Sequence, residues 1–261
     1  MVAGATVARA MVLAAGRGLR LRPVTDSVPK PLIEVAGGTL IDRILDHLAA
    51  AGVETAIVNT HHLGAMIEAH LRDRQRPRVL LSPEAELLDT GGGVLTALDR
   101  LGHGAFFVVN SDVLWLAGAK GPLGRLAEAW DDARMDALLL LHAAAGAAGY
   151  EGDGDFFIDR RGTLRRRGAR EAAPFLFAGV QMLHPRLFRA APGAAFSLNL
   201  LYDRAQAAGR LHGLVHDGAW FHVGTPAGLA AARARLDPPS RLRAEALRRA
   251  KEGNRGGREA G

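Results

Sequence analysis

The sequence predicts an α/β fold of three layers, α/β/α, built on a mixed but mostly parallel sheet. Three observations lead there. Short apolar runs alternate with amphipathic stretches through the first two-thirds of the chain, the connections are long enough for helical crossovers, and a glycine-rich turn follows the first run. Parallel neighbours require such crossovers, which are right-handed almost without exception.

Taken in order, residues 9–14 (RAMVLA) read as a buried strand and residues 15–18 as the glycine-rich turn. Residues 39–51 carry Leu40, Ile41, Ile44, Leu45 and Leu48 at helical spacing, and Gly52 stops that helix. Residues 55–59, 79–82 and 105–110 read as strands, with helices at 64–72 and 92–100 between them. After that the pattern changes. A helix is expected at 126–132 and a buried strand at 136–142. A Gly/Asp-rich stretch then surrounds Phe156, followed by the basic run 164–170 and the apolar run 175–183. These pieces predict strands added to the main sheet, with hairpins that roof a pocket. Helices at 198–208 and 227–236 close the fold. The expected organisation is one domain over residues 1–239 and a basic, disordered tail over 240–261.

Composition sets limits on function. With 261 residues, 48% hydrophobic and 23% charged, the chain can bury a substantial core and suits a soluble globular protein. The absence of Cys excludes disulfides, a thiolate nucleophile and thiolate metal ligands. Residues 1–9 lack the features of a signal peptide, and the apolar runs at 10–15 and 137–141 are too short to cross a bilayer. A cytoplasmic protein without membrane partners is expected. The net charge is +6, but from Pro238 onward seven Lys or Arg face three Glu, so +4 of it sits in the tail. With 5% aromatic residues as well, no nucleic-acid partner is expected.

The most informative string is Leu13-Ala-Ala-Gly-Arg-Gly-Leu-Arg-Leu-Arg-Pro23, continued by Pro29-Lys30-Pro31-Leu32. Small residues and glycines after a strand let backbone N–H groups approach a phosphate chain closely. Arg17 supplies a planar, permanent cation for phosphates, and Lys30, aimed between two prolines, suits charge building on an α-phosphate. A dinucleotide fingerprint would need a third glycine where Leu21 stands, and no Gly-Lys-Ser/Thr of a P-loop follows.

Carrying L-A-A-G-x-G-x-R-[LM]-x-P and then P-K-P-[LM], the chain resembles the sugar-1-phosphate nucleotidyltransferase family over residues 10–236. It is most similar to the branch acting on N-acetylmuramic acid 1-phosphate with UTP, and the mannose-1-phosphate guanylyltransferases are close neighbours. The resemblance implies a Rossmann-like fold of the nucleotide-diphospho-sugar transferase type. It also implies transfer of a nucleotidyl group from a nucleoside triphosphate to a sugar 1-phosphate, with release of pyrophosphate. By the same resemblance Leu13, Ala14, Ala15 and Gly16 bind the nucleotide, Arg17 the triphosphate and Lys30 the α-phosphate, with Arg17, Lys30 and Asp112 catalytic.

Further motifs follow. Leu87-Leu-Asp-Thr-Gly-Gly-Gly93 reads as three glycines before a helix, open to a flat base and lending helix N–H groups to a ligand. In family terms Gly91 and Gly92 recognise the base, with Ser82 at its edge. Asn110-Ser111-Asp112 ends a strand where open α/β sheets bind ligands. The resemblance makes Asp112 a ligand of Mg²⁺, with Mn²⁺ as the alternative ion, and Asn110 a sugar contact. Gly154, Asp155, Gly179 and Asn199 fit the sugar side, and Arg165–Arg167 fit a phosphate, a substrate carboxylate or a solvated edge. One departure stands out. The family's D-[VI]-G-T-P is His222-Val-Gly-Thr-Pro here, and imidazole is a poor donor for hard Mg²⁺. His222 then binds metal weakly, contacts phosphate, or cedes the role to Asp217 or a water. The expected protein is a monomer or small homo-oligomer; a non-catalytic nucleotide-sugar-binding regulator is the alternative function.

Overall fold

The computed structural model describes residues 7–116, 120–169, 171–193 and 195–236. The expected tail over 240–261 lies outside them.

The nucleotide-side half is built from β1 (Arg9–Leu13), the small hairpin β2 (Glu34–Val35) and β3 (Gly38–Thr39), α1 (Leu40–Ala50), β4 (Thr55–Thr60), α2 (Gly64–Leu71), β5 (Arg78–Pro83), α3 (Asp89–Leu101) and β6 (Phe106–Asn110). β1 lies between β4 and β6 and is parallel to both, and β5 extends the sheet beyond β4. The chain therefore moves outward from β1 through β4 to β5 and returns to β1's other side as β6. Such a reversal opens a crevice at the carboxyl ends of the two central strands. Leu13 and Asn110, paired across β1 and β6, stand at its floor.

Period-2 alternation sorts the strand side chains into two cores. Ala10, Val12, Ala56, Val58, Phe107 and Val109 pack under α1, α2 and the later helix α4 (Pro122–Ala129), whereas Met11, Ile57, Phe106 and Val108 face α3 and α5 (Asn199–Ala207). This is the three-layer arrangement. α1 is fixed at its start by Thr39, whose Oγ1 accepts from Asp42 N at 3.2 Å.

The second half adds β7 (Val113–Trp115), β8 (Ala137–Ala143), β9 (Phe156–Ile158), β10 (Leu164–Arg166), β11 (Phe175–Leu183), β12 (Leu211–Val215), β13 (Trp220–His222) and α6 (Pro226–Leu236). β11 changes partners along its length. Its residues Val180–Leu183 pair antiparallel with β6, while Phe175 pairs with Phe156 of β9; β8 runs along its opposite edge with an irregularity between Phe177 and Gln181. Gly179 sits in that irregularity at φ +76°, and a Cβ there would lie 2.8 Å from Val113 Cγ1. Only glycine fits the site without strain.

Two local expectations are corrected, and one strand pair was not foreseen. The helix expected at 126–132 runs from Pro122 to Ala129, because Pro122 starts it and Trp130 is extended. α3 begins at Asp89, so the three glycines lie inside its first turns instead of in a loop before it. The strand pair β7–β13, unforeseen, sets Val113 opposite His222.

Candidate active site

The crevice at the ends of β1 and β6 is a cavity of about 430 Å³. Leu13, Ala15, Gly16 and Lys30 line it together with Asn110 and Asp112. Residues brought together from the two signature strings thus share one wall. The loop after β1 is held from below. Ala14 N donates to Asn59 Oδ1 at 2.7 Å, Asn59 Nδ2 donates to Glu84 Oε1 at 2.7 Å, and Leu88 N donates to Glu84 Oε2 at 3.1 Å. Asn59 and Glu84 are only 3% and 8% exposed. This buried chain ties the ends of β1, β4 and β5 to the start of α3, and sequence reasoning missed it. The available signal was a polar side chain at the carboxyl end of two strands that face the crevice.

Lys30 Nζ donates to Asp112 Oδ2 at 2.6 Å, with the side chains 13% and 21% exposed. His222 Nε2 lies 3.5 Å from the same oxygen. Burial pushes the Asp112 carboxyl upward, but the Lys30 ammonium and the His222 ring outweigh it and hold the group well below the usual carboxylate range. The β7–β13 pairing explains how His222 comes there: it faces Val113, the residue next to Asp112, and Val223 N donates to Asp112 O at 2.8 Å. The His222 ring stacks on Trp220 at 6.1 Å between centroids, and Trp220 Nε1 donates to Ala178 O at 2.9 Å. Asp217, the alternative to His222, is engaged elsewhere by Arg125 Nη1 at 2.8 Å.

Arg17 is exposed in the loop beyond Gly16 and has no hydrogen bond or ion pair among the described residues. Gly18, at φ +64°, accepts from Thr25 Oγ1 through its carbonyl, which folds the loop back toward Lys30.

Other expected residues fall differently. Ser82 is buried near the end of β5, where its Oγ accepts from Arg100 Nη2 at 2.6 Å, and it does not line the cavity. The amides of Gly91 and Gly92 donate to Phe196 O, so neither is free for a ligand. A Cβ on Gly91 would collide with the Phe196 ring, and one on Gly93 would lie 2.9 Å from Glu84 Oε1. These glycines admit close packing, and Asp89 and Thr90 line the cavity in their stead. Asp155 and Asn199 line a second cavity of about 600 Å³. Gly154 packs against the Ala173 carbonyl, and Gly179 against Val113 and Asn110. The two cavities are neighbours: Thr90 of the first accepts from Leu198 N at 3.0 Å, next to Asn199 of the second.

A glycine-rich loop with a free guanidinium stands at the switch point of a parallel sheet, beside a Lys–Asp pair and next to a second cavity, an arrangement chemically suited to a phosphate-bearing ligand. The chain belongs to the nucleotidyl transferase family, whose model matches residues 9–142, more than half of it. It is a nucleotidyltransferase.

Among relatives, it is 44% identical over 232 residues to the N-acetylmuramate alpha-1-phosphate uridylyltransferase of Caulobacter vibrioides, covering 87% of this chain and 96% of that one. To the enzyme of the same name from Neisseria meningitidis serogroup B it is 35% identical, covering 87% and 97%. The structure of UTP-bound UGPase from Acinetobacter baumannii matches with a TM-score of 0.72 at 18% identity, over 90% of this chain and 95% of that one, a likeness of fold.

Proposed function

We propose that the protein transfers the uridylyl group of UTP to N-acetylmuramic acid 1-phosphate, yielding UDP-N-acetylmuramic acid and pyrophosphate. The observation that carries this reading is the 44% identity to the Caulobacter vibrioides uridylyltransferase across nearly its whole length. The cavity chemistry supports it.

A sugar 1-phosphate is already ionised, so its oxygen attacks the α-phosphorus of UTP in line without a side-chain base; catalysis is positioning and charge neutralisation. UTP lies along the Leu13–Gly16 loop, with Arg17 on the outer phosphates. Lys30, held by Pro29 and by the helical turn Lys30–Leu32, delivers its ammonium to the α-phosphate and exchanges Asp112 for a phosphate oxygen. Asp155, with one carboxylate oxygen accepting from Phe177 N at 2.9 Å and the other unpartnered among the described residues, accepts from a sugar hydroxyl in the second cavity.

For a hard divalent cation the protein offers one carboxylate, so most of the shell would come from water and substrate oxygens. Asp112 offers a carboxylate on the cavity wall, His222 is an auxiliary donor, and no group of three or more His, Asp or Glu gathers among the described residues. Water and substrate oxygens complete such a shell. Mg²⁺, or Mn²⁺, held by Asp112 and His222 would offset charge on the triphosphate and the leaving pyrophosphate. No helix among the described residues is long and apolar enough to cross a membrane, and a reaction that consumes UTP is assigned to the cytoplasm, where UTP is made.

The test is pyrophosphate release from each of the four nucleoside triphosphates against a panel of sugar 1-phosphates. UTP with N-acetylmuramic acid 1-phosphate should give the highest kcat/KM. A preference for GTP with mannose 1-phosphate, or binding without turnover, would overturn the assignment.

A further inference from the structure

The basic strand β10 and its continuation place three consecutive guanidiniums in three different situations. Arg165 points outward, paired with Glu171 Oε2 at 2.8 Å and lying 4.2 Å over the Phe157 ring. Arg166 lines the second cavity but is neutralised by Asp203 Oδ1 at 2.6 Å. Arg167 also lines that cavity, and it has no carboxylate partner among the described residues. Its one side-chain hydrogen bond runs from Nη1 to the backbone oxygen of Glu171 at 3.2 Å. The Glu171 carboxylate that could have neutralised it is held by Arg165 and by Gly168 N at 3.1 Å. Most of the five N–H donors of Arg167 are therefore uncommitted, on a half-buried side chain whose backbone is pinned by Arg167 N donating to Asp155 O at 2.9 Å.

A half-buried, unneutralised guanidinium at a fixed position in a cavity is a site for an anion, and its planar fork matches a carboxylate in bidentate fashion. The sugar of the proposed substrate has one group of this kind away from its phosphate, the lactyl carboxylate that distinguishes N-acetylmuramic acid from N-acetylglucosamine. We propose that Arg167 binds this lactyl carboxylate and sets the sugar specificity of the enzyme; this rests on the N-acetylmuramate reading above. Arg165 and Glu171 act at one remove, keeping the Glu171 carboxylate away so that Arg167 stays available.

The experiment compares kcat/KM with UTP for N-acetylmuramic acid 1-phosphate and N-acetylglucosamine 1-phosphate, which share the phosphate and differ in the lactyl group. Wild type should prefer the lactyl sugar. Arg167→Gln should lower kcat/KM for that sugar about 10- to 100-fold, mainly through KM, and leave the other sugar within about twofold. Arg167→Lys, which keeps the charge without the fork, should give a smaller loss confined to the same sugar, and it serves if the Gln variant melts too early to assay. Arg165→Gln, which releases the Glu171 carboxylate toward Arg167, should give a smaller loss confined to the lactyl sugar. Equal losses on both sugars would mean that Arg167 meets the phosphate or only shapes the loop, and a retained preference in Arg167→Gln would mean that the carboxylate is read elsewhere; either overturns the assignment. A wild type without preference for the lactyl sugar overturns the N-acetylmuramate reading itself.

Discussion

Replacing Asp112 by Asn removes one charge and almost no volume from the centre of the site. Breaking a fully buried ion pair costs about 3–5 kcal/mol. Here the partners retain 13% and 21% exposure, Lys30 can turn toward the cavity, and the Asn oxygen can still accept from Nζ. The loss of stability should therefore be smaller, about 1–2 kcal/mol, or roughly 2–8 °C in Tm for a domain of this size. Turnover should fall much further, by about 1,000-fold, because the substituted group is the one proposed to hold the cation that offsets triphosphate charge. The assay is pyrophosphate release at rising Mg²⁺ with saturating UTP and sugar phosphate, alongside thermal melting. A purely structural Asp112 would move Tm and leave kcat almost untouched. A kcat within about threefold of wild type at every Mg²⁺ concentration would remove Asp112 from the reaction.

Other substitutions probe separate parts of the molecule. His222→Asp should lower the Mg²⁺ needed for half-maximal rate, since an anion replaces an imidazole 3.5 Å from Asp112, although repulsion between the carboxylates limits the gain; His222→Ala should stay well above Asp112→Asn in rate, and equal inactivity of the two would give the histidine an essential role of its own. Gly91→Ala gains up to about 1 kcal/mol of helix propensity but drives a Cβ to 2.8 Å from Phe196 O and into its ring, so a net loss of about 1–2 kcal/mol in urea unfolding is expected, and a more stable variant would contradict the packing described. Asp42 is pushed up by burial but held below its ordinary value of 3.8 by Thr39, His70 and Arg74. Its folded-state pKa is depressed, so its contribution is complete above about pH 4 and fades as pH falls below that. Asp42→Asn should accordingly lose about 0.5–1 kcal/mol at pH 7, a value discounted for its partial exposure, and much less at pH 3; an equal deficit at both would refute the linkage.

The parallel half of the fold was legible because its physics is local. Leu40, Ile41, Ile44, Leu45 and Leu48 form one stripe, Gly52 ends the helix at φ +85°, and the apolar strands lie within a residue or two of their expected bounds. What escaped was decided by distant partners. β7 and β13 are three residues each, too short for any periodicity, and exist because they pair with one another. The glycines of α3 look like a loop by propensity, yet a helix forms because Phe196 and the Asn59–Glu84 pair need the space that side chains would fill. Lys30, Asp112 and the Leu13–Gly16 loop were recognisable as strings, whereas the Asn59–Glu84 support needs the ends of two strands brought side by side in three dimensions. Of the basic run, sequence could give only its charge; which guanidinium is left unpaired depends on Asp203 and Glu171.

β11 joins the strands of both cavities, its last four residues bonded to the strand that ends in Asn110 and its first to the hairpin beside Arg167. The break at Gly179 divides it into two stretches with different neighbours. If the second cavity takes the sugar as proposed, changes in the β9–β10 hairpin would retune which sugar is accepted while Val180–Leu183 hold β6 in register. An exchange of acceptor specificity between related enzymes should therefore need a graft of the hairpin together with the Phe175–Phe177 end of this strand, and nothing on the far side of the glycine.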